Sequence, residues 1–144
     1  MDINEVILNL EEHSIKPSMQ RIKIMEYLME HHTHPNVDEI HSALSPQLPT
    51  LSKTTVYNTL KLFVCQGAAL MLTIDDKNIC FDADTSLHAH FLCTECGKVY
   101  DLPYKGEMNL LGSEVIDGNL VKEVHQYYRG VCKKCLKNKK NIIN

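Results

Sequence analysis

The fold is decided by the stretch His88-Ala89-His90-Phe91-Leu92-Cys93-Thr94-Glu95-Cys96, which a later segment, Cys132-Lys133-Lys134-Cys135, completes. Each segment contains a Cys-x-x-Cys pair, and two such pairs supply four thiolates, the full ligand shell of a structural zinc ion. A tight turn lets both sulfurs of a pair reach one ion, and Gly97, directly after the first pair, suits that turn. We therefore predict that one Zn²⁺ joins the two ends of a folded element, bound by Cys93, Cys96, Cys132 and Cys135.

Other roles for these cysteines fit the sequence less well. A Cys-x-x-Cys redox motif belongs to a βαβ pattern, which surrounds neither copy. Disulfides need an oxidising compartment, and no apolar secretory segment follows Met1. The two remaining cysteines, Cys65 and Cys80, each lie in an apolar run, so we expect both to be buried side chains and not ligands.

Two histidines precede the first cysteine pair. His88 and His90 are two residues apart on a predicted strand, so their imidazoles point to the same face of the sheet. His-x-His is weakly specific by itself, whereas the paired Cys-x-x-Cys pattern is strongly specific. The stretch therefore offers ligands to two separate metal ions.

Length and charge limit the possible classes of protein. The chain has 144 residues and a net charge of −3, and its length allows one domain or two small ones. Residues 1–81 contain six Lys or Arg and ten Asp or Glu, so any contact with DNA must come from a local basic patch. No apolar stretch approaches transmembrane length, which predicts a soluble, cytoplasmic protein without a membrane partner.

Apolar spacing in the first half predicts four helices. Their apolar positions are Ile3, Val6, Ile7 and Leu10; Met19, Ile22, Met25, Leu28 and Met29; Val37, Ile40 and Leu44; and Val56, Leu60, Phe63 and Val64. Ser18, Asn36 and Ser52 are the predicted N-caps of the second, third and fourth helices. Pro35 ends the second helix because it disfavours helical geometry at the preceding residue, and Gly67 is a stop signal for the fourth.

The fourth helix has a polar face. Thr54, Asn58 and Lys61 lie opposite its apolar stripe, with Tyr57 on the flank. Two predicted strands follow, at residues 69–74 and 78–81, and short helices followed by such a pair describe a winged helix-turn-helix domain. In that architecture the helix before the wing enters the major groove of DNA; a merely solvated helix face is the alternative interpretation.

The second half is predicted to be α+β. Strands are expected at residues 88–92, 98–102 and 120–128, a helix at residues 106–115, and a Lys- and Asn-rich low-complexity tail at residues 133–144. A sheet this small leaves apolar surface exposed, which a second copy of the chain would cover. We therefore expect dimerisation through this half.

Five segments resemble the ferric uptake regulator (Fur) family. They are, in chain order, Lys16-Pro17-Ser18-Met19-Gln20-Arg21, Thr54-Thr55-Val56-Tyr57-Asn58-Thr59-Leu60, Phe81-Asp82, His88-Ala89-His90-Phe91-Leu92-Cys93-Thr94-Glu95-Cys96-Gly97-Lys98-Val99 and Gly130-Val131-Cys132-Lys133-Lys134-Cys135. The resemblance implies a homodimeric, metal-dependent repressor. It also implies a winged-helix DNA-binding domain at residues 1–82, a hinge at residues 83–87, and a small α/β dimerisation domain with structural zinc at residues 88–144.

The same resemblance assigns DNA contacts. Lys16 would enter an AT-rich minor groove and Tyr57 would contact thymine methyl groups, and both chemistries fit these side chains. The implied partner is double-stranded DNA with an AT-rich inverted repeat. The residues predicted to contact it are Lys16, Arg21, Lys53, Thr54, Thr55, Tyr57, Asn58 and Lys61.

The regulatory metal site of the family maps onto His34, Asp82, His88, His90 and Asp101. This mixed nitrogen and oxygen set suits Fe²⁺ or Mn²⁺ and differs from a closed thiolate zinc site. Taken singly, each residue has another explanation: His34 could cap a helix end, and the two aspartates could lie at turns or strand ends. A second metal site, found in many members, is not expected here, although Glu107 and His125 lie near the positions of its ligands.

Asp82 and Asp101 resemble the peroxide-sensing PerR branch, because iron-sensing members usually have Glu at both positions. In that branch an iron-promoted oxidation attacks a ligand histidine, which here would be His34 or His88, and DNA is released. The protein would be consumed once, so we expect no enzyme and no catalytic residue. An iron- or zinc-responsive repressor of the same fold is the alternative. A metal-dependent enzyme is disfavoured because no separate nucleophile or acid–base pair accompanies the ligands.

Overall fold

The computed structural model describes residues 1–75, 77–105 and 114–143. The chain forms two compact units, Met1–Thr85 and Ser86–Asn144. Helices dominate the first unit and strands the second. Within the described ranges, no helix is long and apolar enough to cross a membrane.

Four helices build the first unit: α1 (Ile3–Glu12), α2 (Met19–Glu30), α3 (Val37–Leu44) and α4 (Lys53–Cys65). Each follows a polar residue whose side chain accepts a hydrogen bond from a backbone N–H of the first turn. These residues are Asp2, Ser18, Asn36 and Ser52, so the three predicted caps are confirmed.

The helices enclose one apolar core, which includes Leu10, Met25, Ile40, Leu60 and Phe63. The predicted apolar face of α2 is wrong at two positions, because Met19 is 61% exposed and Ile24 is completely buried. The buried face of α2 is centred on Ile24, Met25 and Leu28. With 3.6 residues per turn, Met19 lies on the far side of the helix from this face.

Two short strands follow α4: β1 (Leu70–Leu72) and β2 (Cys80–Asp82). They pair antiparallel, with Leu70 opposite Asp82 and Leu72 opposite Cys80. Both differ in length from the predicted strands at residues 69–74 and 78–81, but their order after four helices confirms the winged-helix architecture.

The two cysteines outside the paired motifs differ in exposure. Cys80 is buried, as predicted, whereas Cys65 is exposed, so its predicted burial is wrong. Cys65 is the last residue of α4 and lies about 200° around the helix from the buried Phe63. The apolar run in the sequence therefore continues past the face of the helix that is packed.

Three strands form the sheet of the second unit: β3 (Ala89–Cys93), β4 (Val99–Leu102) and β7 (Tyr127–Gly130). β3 lies in the middle, antiparallel to β4 and parallel to β7. A separate hairpin of β5 (Glu114–Ile116) and β6 (Asn119–Val121) turns at Asp117 and Gly118, which both have positive φ. Helix α5 (Lys133–Ile143) follows β7.

Three expectations for this half change. The helix expected at residues 106–115 falls outside the described residues up to residue 113, and Val115 belongs to β5. The strand expected at residues 120–128 is two strands, because β6 pairs with β5 while β7 pairs with β3. The tail expected from residue 133 is helix α5, rich in lysine, which is a good helix former.

Candidate metal centres and DNA-binding surface

The two Cys-x-x-Cys turns meet in the second unit. Cys93 ends β3, and Cys132 precedes α5, which carries Cys135. The sulfur atoms of Cys93, Cys96, Cys132 and Cys135 all lie within 4.8 Å of one another. Those of Cys96 and Cys132 are 3.9 Å apart, close to the edge of ~3.8 Å of a tetrahedron with Zn–S bonds of ~2.3 Å. The four thiols therefore fit a tetrahedral metal ion.

Hydrogen bonds favour the thiolate form of two of these cysteines. The backbone N–H groups of Cys96 and Cys132 donate to the sulfur of Cys93 at 3.5 and 3.3 Å and lower the pKa of Cys93 to about 6. The N–H of Cys135 and then the hydroxyl of Tyr100 lower the pKa of Cys132. A hydrogen bond with Cys132 raises the pKa of Cys135 to about 12, so a bound metal ion would displace that proton.

Some contacts that support the cysteine turns were not predicted from the sequence. Tyr100 of β4 reaches the sulfur of Cys132. Nζ of Lys139 in α5 donates to Oε1 of Glu95 at 2.6 Å, which joins α5 to the first turn. Glu95 and Lys139 are 44 residues apart, so their opposite charges give no local signal and only the fold brings them together.

In the first unit, His34 and Asp82 form a buried pair, with Nε2 of His34 at 3.5 Å from Oδ2 of Asp82. The N–H of Phe81 donates to the carbonyl of Pro35 at 3.0 Å, which ties the segment after α2 to β2. His34 has a φ of 58°, a left-handed conformation that is unfavourable for a residue with a Cβ. Pro35 contributes to this geometry because it disfavours the right-handed helical region for the residue before it.

In the second unit, His88, His90 and Asp101 form a cluster. The pairing of β3 with β4 places His90 directly opposite Asp101. Oδ1 of Asp101 lies 3.3 Å from Nε2 of His88 and 3.4 Å from Nε2 of His90. Nδ1 of His88 donates to the carbonyl of Ser86 at 2.8 Å, which orients the ring. Two imidazoles and a carboxylate form a donor set that suits Fe²⁺ or Mn²⁺.

The position considered for a second metal site has other contacts. Nε2 of His125 is 3.1 Å from Oε2 of Glu123, and its Nδ1 is 3.3 Å from the hydroxyl of Tyr127. Glu107 lies outside the described residues. The contacts of His125 are therefore those of a surface hydrogen-bond chain.

The residues predicted to contact DNA lie in the first unit. Lys53, Thr54, Asn58 and Lys61 are exposed on α4, and Tyr57 is 37% exposed. Nζ of Lys61 is 5.5 Å from the centroid of the Tyr57 ring, a cation–π contact that favours one position of the ring. Thr55 is half-buried and its hydroxyl accepts a hydrogen bond from the cap residue Ser52, so it also supports the start of α4.

Arg21 and Lys16 are joined. Nη1 of Arg21 donates to the carbonyl of Lys16 at 2.9 Å, from the first turn of α2 back to the connection after α1. The contact orders the segment that carries the exposed Lys16 side chain. Arg21, which the sequence suggested only as a DNA contact, therefore also positions Lys16.

Comparison with known proteins gives a consistent result. The ferric uptake regulator family model matches residues 12–110. The peroxide-responsive repressor PerR of Staphylococcus aureus strain Mu50 is 38% identical over 136 residues, which cover 93% of this chain and 91% of the relative. The crystal structure of the Campylobacter jejuni peroxide stress regulator is 25% identical, with a TM-score of 0.62, and covers 94% of this chain and 100% of that chain.

A third protein shows the fold alone. The ferric uptake regulator Fur of Helicobacter pylori is 16% identical, with a TM-score of 0.68 over 94% of this chain and 95% of that chain. The match to the family model extends over more than half of the sequence, and the S. aureus relative aligns with almost all of it. This chain belongs to the ferric uptake regulator family.

Proposed function

We propose that this protein is a homodimeric, metal-dependent transcriptional repressor that releases DNA when peroxide oxidises a histidine of its regulatory metal site. The observation that carries the proposal is the cluster in which Nε2 of His88 and Nε2 of His90 converge on one oxygen of Asp101. Such donors suit a redox-active divalent ion. The 38% identity to an S. aureus peroxide-responsive repressor supports peroxide as the signal.

The cysteine site would bind Zn²⁺ and have a structural role. Its ligands would be Cys93, Cys96, Cys132 and Cys135, and four thiolates leave no open position for a reacting molecule. The ion would join the turn after β3 to the start of α5 and so stabilise a sheet of only three strands.

The regulatory ion would be Fe²⁺ or Mn²⁺, bound by His34 and Asp82 of the first unit and by His88, His90 and Asp101 of the second. Within each unit the imidazole and carboxylate groups already face each other. An ion bound by both units would restrict their relative orientation. If that orientation is the one that binds DNA, the ion shifts the population toward it and acts as a corepressor.

The sensing reaction would end on an imidazole ring. Bound Fe²⁺ would supply the electrons that activate peroxide. One peroxide oxygen would add to the ring of His34 or His88 and the other would leave as water. An oxidised ring is a poorer ligand, so metal affinity falls and DNA is released. Because the modified histidine is not restored by the reaction, the protein would be a sensor and not an enzyme.

The DNA partner would be an AT-rich inverted repeat, because a two-fold symmetric dimer reads two half-sites of the same sequence. α4 would enter the major groove with Tyr57 against thymine methyl groups, and Lys16 would enter the minor groove. Such a repressor acts where the chromosome is, in the bacterial cytoplasm.

Fluorescence anisotropy with a labelled inverted-repeat duplex tests this proposal, using protein loaded anaerobically with Fe²⁺ or with Mn²⁺. We expect both forms to bind DNA and peroxide to release it only from the iron form. His90→Ala should bind DNA with neither ion, because it removes a ligand of the regulatory site while the cysteine site is unchanged. Binding that survives peroxide in the iron form would contradict peroxide sensing and favour an iron- or zinc-responsive repressor.

A further inference from the structure

Lys53 is in an unfavourable place for a cation. It is the first residue of α4, whose first turn contains no acidic residue. The N-terminus of a helix carries a partial positive charge, so a lysine there opposes the helix dipole. A local choice that costs stability is expected where a residue serves binding.

Asp38 offsets this charge. It lies in the first turn of α3, and its Oδ1 is 3.1 Å from Nζ of Lys53. The neighbouring Glu39 instead completes the capping box of α3 with Asn36. The side chains of Lys53 and Asp38 are 61% and 72% exposed, so an approaching polyanion can reach the ion pair.

We propose that Asp38 is a specificity-determining residue, which holds Lys53 in an ion pair and thereby limits sequence-independent binding to DNA. This inference rests on the proposed function, because it takes duplex DNA as the partner of α4. Non-specific binding depends almost entirely on contacts between cations and phosphates. A carboxylate at 3.1 Å neutralises one of the few cations on this helix.

The ion pair acts differently in the two kinds of complex. On a random duplex the protein contacts the backbone loosely, the pair stays closed, and Lys53 makes no phosphate contact. On the operator, base contacts draw α4 into the groove, and a phosphate replaces Asp38 as the partner of Lys53. An exposed ion pair is weak enough to be exchanged in this way. The operator complex therefore gains a contact that the random complex lacks.

Three variants separate this role from a general effect of charge. Asp38→Asn removes the carboxylate charge and keeps the size of the side chain. Glu12→Gln makes the same change in charge at the exposed end of α1 and is the matched control. Asp38→Asn combined with Lys53→Gln removes both partners. Each protein, loaded with Mn²⁺ and verified by a thermal melt, is titrated over a salt series with the inverted repeat and with a scrambled duplex of the same composition.

We expect Asp38→Asn to bind the scrambled duplex about fivefold more tightly at low salt, and the inverted repeat about twofold more tightly at most. Its salt dependence on the scrambled duplex should steepen by about 0.9 per protomer, the value for one added phosphate contact. Glu12→Gln should change both affinities by the same, smaller factor. The selective gain should vanish when Lys53→Gln is added.

Equal gains on the two duplexes, or a selective gain that survives Lys53→Gln, would overturn the role of Asp38. A different result concerns the proposed function: a wild-type protein that does not prefer the inverted repeat contradicts sequence-specific repression. In that case the scrambled duplex still decides about Asp38, because a gain no larger than that of Glu12→Gln rejects it.

Discussion

Nε2 of His34 lies 3.5 Å from Oδ2 of Asp82, and both side chains are buried in the first unit. His34 follows α2 and Asp82 ends β2, so the pair joins the segment before α3 to the wing. His34 reaches this position with a φ of 58°. The fold therefore contains a strained backbone at a residue that we propose as a metal ligand, as is common at functional sites.

This strain predicts an inverted preference between glycine and alanine at residue 34. His34→Gly and His34→Ala both remove the imidazole, so both should lose Fe²⁺ and Mn²⁺ binding at the regulatory site. Glycine adopts a positive φ readily and alanine does not, so we expect His34→Gly to have the larger free energy of unfolding, by ~1 kcal/mol. Urea denaturation of the metal-free variants measures this difference. A more stable His34→Ala would show that the backbone is not strained there.

Cys132→Ser should abolish zinc binding and destabilise the second unit. Serine does not replace a thiolate ligand, and loss of a structural zinc costs on the order of several kcal/mol. Cys65→Ser is the matched control, because Cys65 is an exposed cysteine outside the cysteine cluster. Metal analysis and thermal unfolding follow both variants. Wild-type zinc content in Cys132→Ser would exclude Cys132 as a ligand.

Cys65 and Cys80 should react with iodoacetamide at very different rates. The thiolate is the reactive form, and burial raises the pKa of Cys80 to about 11, whereas Cys65 is exposed. At neutral pH we expect alkylation at Cys65 first, with Cys80 reacting only as the pH rises toward its raised pKa. Timed alkylation of the zinc-loaded protein, followed by peptide mass spectrometry, measures both rates. Comparable rates at neutral pH would contradict the burial of Cys80.

Tyr57 should recognise thymine through its ring. Replacing thymine by uracil in the inverted repeat removes the methyl group, so the wild-type protein should bind the uracil duplex less tightly. Tyr57→Ala should bind both duplexes equally and more weakly than wild type, by about 1–3 kcal/mol. Tyr57→Phe keeps the ring and should keep the preference for thymine. If Tyr57→Ala still distinguished the two duplexes, another residue would read the methyl group.

Local signals predicted much of the fold. Ser18, Asn36 and Ser52 cap helices as expected, because a cap depends only on the next few residues. The cysteine cluster was also predictable, since each Cys-x-x-Cys pair forms within one turn and only the meeting of two turns needs the fold. The pattern of the sequence therefore gives the elements and the cysteine donor set.

Contacts between distant segments were not predictable in this way. Residues 120–128 appear as one apolar strand, yet β7 takes its partner from β3, more than thirty residues earlier in the chain. The pairing of Asp38 with Lys53 depends on how α3 packs against α4, and neither residue lies in a motif that specifies it. Such partners are decided by packing, which a pattern of single residues does not contain.

Peptide mass spectrometry tests the proposed peroxide sensor most directly. Protein is loaded anaerobically with Fe²⁺ or with Mn²⁺, exposed briefly to peroxide, and digested. The account predicts one added oxygen atom on the peptide of His34 or His88 in the iron form alone, together with loss of DNA binding. Intact His34 and His88 peptides in an iron form that still binds DNA would contradict it.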